Sequence, residues 1–250
     1  MKRVVSLLFI AALLALLLYV VANMPPMGDP ENPTNSSEVI KRYLNEAEEE
    51  THCENVITGI ILNYRGYDTM GEVTVIFCAL AAVLAVLGRE KRGKIYAYAD
   101  RSRVPSSAIV RTMVAFLVPF IILFSIYTIL HGEISPGGGF QGGAIVGGSM
   151  IIFTTIFGLY ESSQRIPQKL RAPLEGSAVI TFFIVGILGM AGGGNFLTYA
   201  WPNIATNLQP SVVTWLTILV EIGIGLGGAM VLISILFSMI REEEEIAVAP

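Results

Sequence analysis

The 250-residue chain is 53% hydrophobic and 14% charged, with a mean hydropathy of +0.65 and a formal net charge of −4. An ordinary soluble domain carries about 25% charged residues, so this composition describes an integral membrane protein. The acidic balance, with no basic stripe outside short loops, excludes a general nucleic-acid binder.

The first apolar run, Val4–Ala22, holds 19 residues without a charge. As helix it is about 28 Å long, against a hydrocarbon core of about 30 Å. Lys2 and Arg3 precede it, and Val20-Val21-Ala22 would serve as a secretory cleavage site. Signal cores hold about 7–15 apolar residues, fewer than this run, so a retained helix is expected. Further runs at Val73–Gly88, Thr112–Leu130, Ala144–Tyr160, Gly176–Gly193 and Ser211–Ile240 bring the expected spans to six.

Between the first two spans, residues 23–69 open on a Pro/Asn-rich stretch in which Asn35-Ser36-Ser37 fits a glycosylation sequon. Val39, Ile40, Tyr43, Leu44 and Ala47 then fall on one helical face, and Val56, Ile57, Ile60 and Ile61 on another. These predict two short amphipathic helices lying on the membrane surface or on a neighbour. Glu48-Glu49-Glu50 reads as a solvated face. Cys53 and Cys78 lie on different segments, neither at ligand spacing with another thiol or histidine, so neither a metal site nor a structural disulfide is expected.

Loop charges orient the spans. Arg89, Lys91, Arg92, Lys94, Arg101 and Arg103 follow the second span, and Arg165, Lys169 and Arg171 follow the fourth; these loops are expected in the cytoplasm. Residues 23–69 hold nine acids and three bases, and the loop Gly194–Pro210 holds no charge, so both are expected outside. With Lys2 and Arg3 inside, the expected fold is an all-α integral membrane protein of six transmembrane helices with both termini cytoplasmic.

The stretch HGEISPGGGFQGGAIVGG (His131–Gly148) places seven glycines after Pro136. A phosphate loop needs Gly-Lys-Ser/Thr and a preceding strand, and a dinucleotide fingerprint needs a βαβ unit; apolar spans flank this run instead. As a helix start, Ser135 would cap and Pro136 would occupy the first position. Gly139, Gly143 and Gly147 recur at fourfold spacing, widened by Gly138 and Gly142. Such a stripe indicates either close backbone packing or an irregular helix lining a polar cavity.

Glu221 lies inside the last span with Gly225 and Gly228 on its side. Glu72 opens the second span just after Asp68, and His131 ends the third beside Glu133. A carboxylate at membrane depth costs several kcal/mol unless paired or hydrated, which makes Glu221 the leading candidate for an ion or proton path. His131 reads equally as a headgroup-level residue or a relay. Glu133 and Glu175 each have a simpler reading as acids that favour a helix N-terminus.

Ser135–Gly143, SPGGGFQGG after HGE, resembles the signature of the B subunit of Mrp-type multisubunit sodium/proton antiporters, and the spans from Thr112 to Ile240 match that subunit's extent. The residues that carry over are Pro136, Gly137, Gly138, Gly139, Phe140, Gly142 and Gly143, with Gly147 continuing the stripe. NYRGYDTMGEVTV (Asn63–Val75) is similar to the C-terminal end of the family's A subunit, through Arg65, Asp68 and Glu72. Where many B subunits carry histidine this chain has Glu133, so a histidine relay does not transfer.

The resemblance implies an A-tail-like segment (1–90), a basic linker (91–106), a B-subunit-like four-helix domain (107–241) and an acidic tail (242–250). It implies a non-catalytic, multi-pass subunit of the cell membrane that helps move sodium ions and protons. Asp68, Glu72, His131, Glu133 and Glu221 are its path candidates. No cofactor, redox centre or metal is expected within the chain. Expected partners are A-, C-, D-, E-, F- and G-like antiporter subunits and the bilayer, with a hydrogenase-like peripheral arm as a further candidate. The same subunits recur in antiporter-derived hydrogenase and sulfur-reductase complexes. The alternative is a purely structural subunit that packs neighbouring pumping subunits together.

Overall fold

In the computed structural model, residues 2–24, 37–88 and 106–248 are described, side chains being described for residues 4–24, 37–88 and 106–240. The basic loop after the second span and most of the sequon stretch lie outside these residues, as do the side chains of the acidic tail. The described residues are all-helical, without strands.

Two compact units divide the chain, residues 1–46 and 47–250. The first contains α1 (Lys2–Ala22) and the short amphipathic α2 (Glu38–Asn45). Every position from Val4 to Ala22 is exposed, and the segment has a hydropathy of 3.0. Its surface is apolar all round, as suits a helix bathed in lipid.

The second unit comprises α3 (Ala47–Thr51), α4 (Val56–Thr58), a π-helical stretch (Gly59–Tyr64), α5 (Gly66–Leu87), α6 (Ala108–Leu130), α7 (Gly139–Phe157), α8 (Leu159–Arg165), α9 (Gln168–Leu174), α10 (Ser177–Ala191) and α11 (Gln209–Val248). α11 is the central post: 61% of its apolar window is buried, against 11% for α5 and 22% for α6. Val213, Leu216, Val220 and Ile224 of α11 pack with Leu62, Val73, Phe182, Val185 and Tyr199. Further along, Ala229, Met230, Ile233 and Phe237 pack with Val118, Met150, Phe153 and Leu159. Lipid is as apolar as leucine, so close fit rather than expulsion from water holds these helices together.

Among the described residues, five helices are long and apolar enough to cross a membrane, and a sixth span arises only if α9 and α10 are counted as one element bent by 41°. The expected fifth span is therefore a broken pair. Pro173 and Gly176 fall around the break, where proline removes a backbone donor and disfavours continuation of the preceding turn. α5 begins at Gly66 rather than Val73, so Asp68 and Glu72 lie within its first turns.

The segment after α2 departs from expectation more strongly. Ala47, Thr51, Cys53, Thr58 and Leu62 are all buried within the second unit, so this stretch is built into the helix bundle instead of lying on its surface. Glu48, Glu49 and Glu50 remain exposed, and the Tyr64 hydroxyl donates to Glu50. Gly59 permits the π-helical stretch to pass Thr51, whose hydroxyl would lie 2.6 Å from a Cβ at that position.

Candidate functional site

The site forms where the turn between α6 and α7 meets α11. The turn is knotted by its own backbone: Ser135 N–H donates to the His131 carbonyl at 2.8 Å, and Gly138 N–H to the Thr128 carbonyl at 3.2 Å. Asn55 and Thr58 clamp it from outside. The Asn55 amide donates to the carbonyls of Gly132 (2.8 Å) and Ser135 (3.0 Å), and the Thr58 hydroxyl donates to Gly132 at 2.6 Å. Asn55 N–H donates to the Glu133 carbonyl at 2.8 Å. Sequence reasoning missed Asn55; its one legible trace is helix-capping chemistry, since its side-chain oxygen accepts Ile57 N–H at 3.1 Å.

The expected helix start is corrected by this geometry. Ser135 does not cap, and Pro136 is not the first helical residue. The Ser135 hydroxyl turns back to the His131 carbonyl at 3.0 Å, and α7 begins three residues later at Gly139 with Gly138 as its N-terminal flank. The capping acceptor comes from another helix, because the Glu221 carboxylate accepts the Gly139 N–H. An anion at the first helical N–H also meets the positive end of the helix dipole.

Bare backbone makes this possible. Gly138 has φ +129°, a conformation that side chains resist, and a Cβ there would lie 3.1 Å from both Glu221 carboxylate oxygens. A Cβ on Gly139 would lie 2.7 Å from Ile224 Cβ, and one on Gly143 would lie 2.8 Å from the Gly225 carbonyl oxygen. Gly147 faces Leu232, while Gly142 faces Ile129 of α6 and its carbonyl accepts the Ser125 hydroxyl at 2.6 Å. Gly137 lies against Thr128, and Phe140 is half-buried on the first core cluster. Pro136 is exposed. Gly225 is enclosed by Ile129, whereas Gly228 opens onto free space.

The other path candidates do not converge on Glu221. Asp68 is exposed and paired with Arg65 at 2.6 Å, and Glu72 is exposed on α5. His131 caps α6, its ring stacked on Tyr127 at 4.2 Å, with Nδ1 3.1 Å from the Tyr127 carbonyl. Glu133, by contrast, is buried beside α11. Burial pushes its carboxyl above the usual range and Glu54 adds to this, while the Thr214 hydroxyl and His131 oppose it. The acid read from the sequence as favouring a helix N-terminus is thus a buried one.

Glu175 lies just before the start of α10. It is buried and accepts the Ser234 hydroxyl at 2.6 Å, with Arg171 Nε at 4.0 Å. Arg171, expected as a loop cation, is itself 2% exposed, and its guanidinium stacks over Phe237 at 4.6 Å. A narrow crevice lined by Val73, Phe77, Phe140, Ile224, Gly228 and Glu175 runs between α5 and α11.

Residues 109–239 match a family described as a domain related to the MnhB subunit of Na+/H+ antiporter, and residues 5–99 match one described as the E subunit of MBH. The chain is 33% identical to the Na(+)/H(+) antiporter B subunit of Bacillus subtilis over 34% of its own length and 59% of that protein's. Its structure resembles a chain of the membrane-bound sulfane sulfur reductase, an archaeal respiratory membrane complex. That match has 32% identity and a TM-score of 0.63 and covers 95% of this chain and 97% of that one. A chain of the Mrp complex from Dietzia sp. DQ12-45-1b shares the fold with a TM-score of 0.62 at 23% identity, over 94% of this chain and 26% of that one. The chain spans 59% of the length of the curated relatives it matches.

Proposed function

We propose, from the premise that this chain belongs to the family of domains related to the MnhB subunit of Na+/H+ antiporters, that it contributes Glu221 to the route of a translocated proton or monovalent cation. The chain is a membrane subunit of an antiporter-like module. The proposed role is transport, without a catalytic step in this chain. Its proposed setting is the cell membrane, among other antiporter-type membrane subunits, in a free-standing antiporter or within a respiratory complex with a hydrogenase- or sulfur-reductase-type arm. The charge bias supports a topology with residues 89–104 and the C-terminal tail in the cytoplasm.

One observation carries this reading. Glu221 is 3% exposed in the helix most deeply buried in the bundle, yet it is held by the backbone N–H of Gly139 and not by a cationic side chain among the described residues. A guanidinium partner would lock the charge in place. A single backbone donor leaves most of the carboxylate's acceptor capacity for a proton, water or cation. Glu221→Gln keeps the acceptor and the shape while removing the charge, and is expected to assemble but lose sodium- or proton-coupled activity.

The structural alternative has its own supporting observation, the contact of Gly139 and Gly143 with the backbone of α11. It differs in outcome: Glu221→Gln would then assemble and transport normally.

A further inference from the structure

Four buried polar groups that the transport reading does not yet use gather on the same side of α11 as Glu221. Thr214, Thr217 and Glu221 follow at intervals of three and four residues and so share one helical face. The Cys53 thiol lies beside the Thr51 and Thr217 side chains, within electrostatic reach of Glu133 and Glu221. The Tyr199 hydroxyl lies within reach of Glu221 and Cys53. Asn63 extends its amide to 4.0 Å from the Cys53 sulfur.

All four groups are buried, and three of them carry a polar atom without a hydrogen-bond partner among the described residues. Thr217 is 0% exposed, Cys53 1%, Tyr199 2% and Glu133 8%. Thr217 Oγ1, Tyr199 Oη and Glu133 Oε2 have no hydrogen-bond partner among the described residues. Buried polar atoms are nearly always bonded to protein, ordered water or an ion. Three unmade bonds in one neighbourhood, contributed by three separate parts of the chain, indicate a shared small polar guest rather than three independent faults. The donor set narrows the choice of guest. Two hydroxyls and two carboxyl groups offer oxygen ligands with no basic side chain among them, which suits a hard cation of low charge and its water.

We propose that Tyr199, Thr217, Glu133 and Glu221 enclose a hydrated monovalent-cation site, with the Cys53 thiol in its wall. The proposal rests on the transport reading of Glu221 and gives that route an antechamber between the residue 192–208 loop and the Asn55-clamped turn. Burial also holds the Cys53 thiol above its usual range, so the free thiol is an inert wall group at neutral pH.

Cys53 supplies the test. In the intact complex carrying Cys78→Ser in this chain, 2-(trimethylammonium)ethyl methanethiosulfonate, a thiol reagent of fixed positive charge, is applied at alkaline pH in sodium or choline chloride. Modification of the Cys53 peptide is then followed by mass spectrometry. The expected result is modification of the folded complex that is slowed about tenfold by excess sodium relative to choline, as occupancy of the site excludes the reagent. Thr217→Val combined with Tyr199→Phe should keep the modification and abolish the protection. An unmodified Cys53 in the native complex, or equal rates in sodium and choline, overturns the site. If Cys53 is sodium-protected while Glu221→Gln transports normally, the site stands and the transport role of Glu221 fails. If Cys53 is inaccessible while Glu221→Gln is inactive, the site fails and the transport role stands.

Discussion

The Glu221 carboxylate accepts the Gly139 backbone N–H across 82 residues of sequence, so the middle of α11 caps the start of α7. Glu221→Ala removes the cap and leaves that N–H buried without an acceptor, a change expected to cost about 1–2 kcal/mol of stability. Glu221→Gln retains an acceptor oxygen and should melt close to the parent. Thermal unfolding of the purified complex, followed through the release of this chain, separates the two substitutions.

The packing of α7 on α11 makes two glycines of one helix behave oppositely. A Cβ on Gly143 would lie 2.8 Å from the Gly225 carbonyl oxygen and 3.2 Å from Gly225 Cα, whereas one on Gly148 meets nothing within 4 Å. Gly143→Ala is expected to cost about 1–3 kcal/mol through backbone overpacking and to lower the yield of assembled complex. Gly148→Ala should be neutral or stabilise by up to about 1 kcal/mol, as alanine favours a helix. Equal yields from the two variants would contradict the observed packing.

Glu133 gives a pH dependence of definite sign. Burial raises its carboxyl above the usual carboxylate range in the folded chain. The folded state therefore binds the proton more tightly than the unfolded one, and the ionised carboxyl weighs on stability once pH exceeds its folded value. Glu133→Gln mimics the neutral form. In choline buffer free of sodium and potassium, its melting temperature should exceed the parent's at pH 8, with the difference shrinking as pH falls toward the ordinary carboxylate value of about 4.3. A difference that grows on acidification would contradict this.

At the other end of α11, Arg171 and Glu175 are both buried, at 2% and 4% exposure, with Ser234 donating to the carboxylate. Removing one member strands the other charge, so Arg171→Met is expected to destabilise by about 3–5 kcal/mol. Arg171→Met combined with Glu175→Met removes both charges and should recover most of that loss. A double variant as unstable as the single would show that the pair is held for reasons beyond its mutual charge.

Which features were legible in the sequence follows from which of them are local. Apolar run length reveals α1, α5, α6, α7 and α11, because a spanning helix must satisfy its own backbone in lipid. The break between α9 and α10 was hidden because the run after Gly176 looks continuous, while the bend lies in the polar residues just before it. SPGGGFQGG announced a close approach but not its partner. Ser135 and Pro136 carry a local helix-start signature, and it lost to a long-range acceptor, Glu221, that no window around residue 139 contains. Asn55 and Thr58 were missed for the same reason, their acceptors lying 74–80 residues away in the Gly132–Ser135 turn. Glu175 and Arg171 have the composition of a solvated loop, and only the packing of α9 against α11 buries them.

Transport by the assembled Glu221→Gln complex tests the central claim most directly. Measured in vesicles as sodium-dependent proton movement, with the complement of chains checked by gel, the variant is expected to retain its full set of subunits and lose most of the activity. A fully assembled Glu221→Gln complex that moves sodium and protons at the parental rate would remove Glu221 from the route.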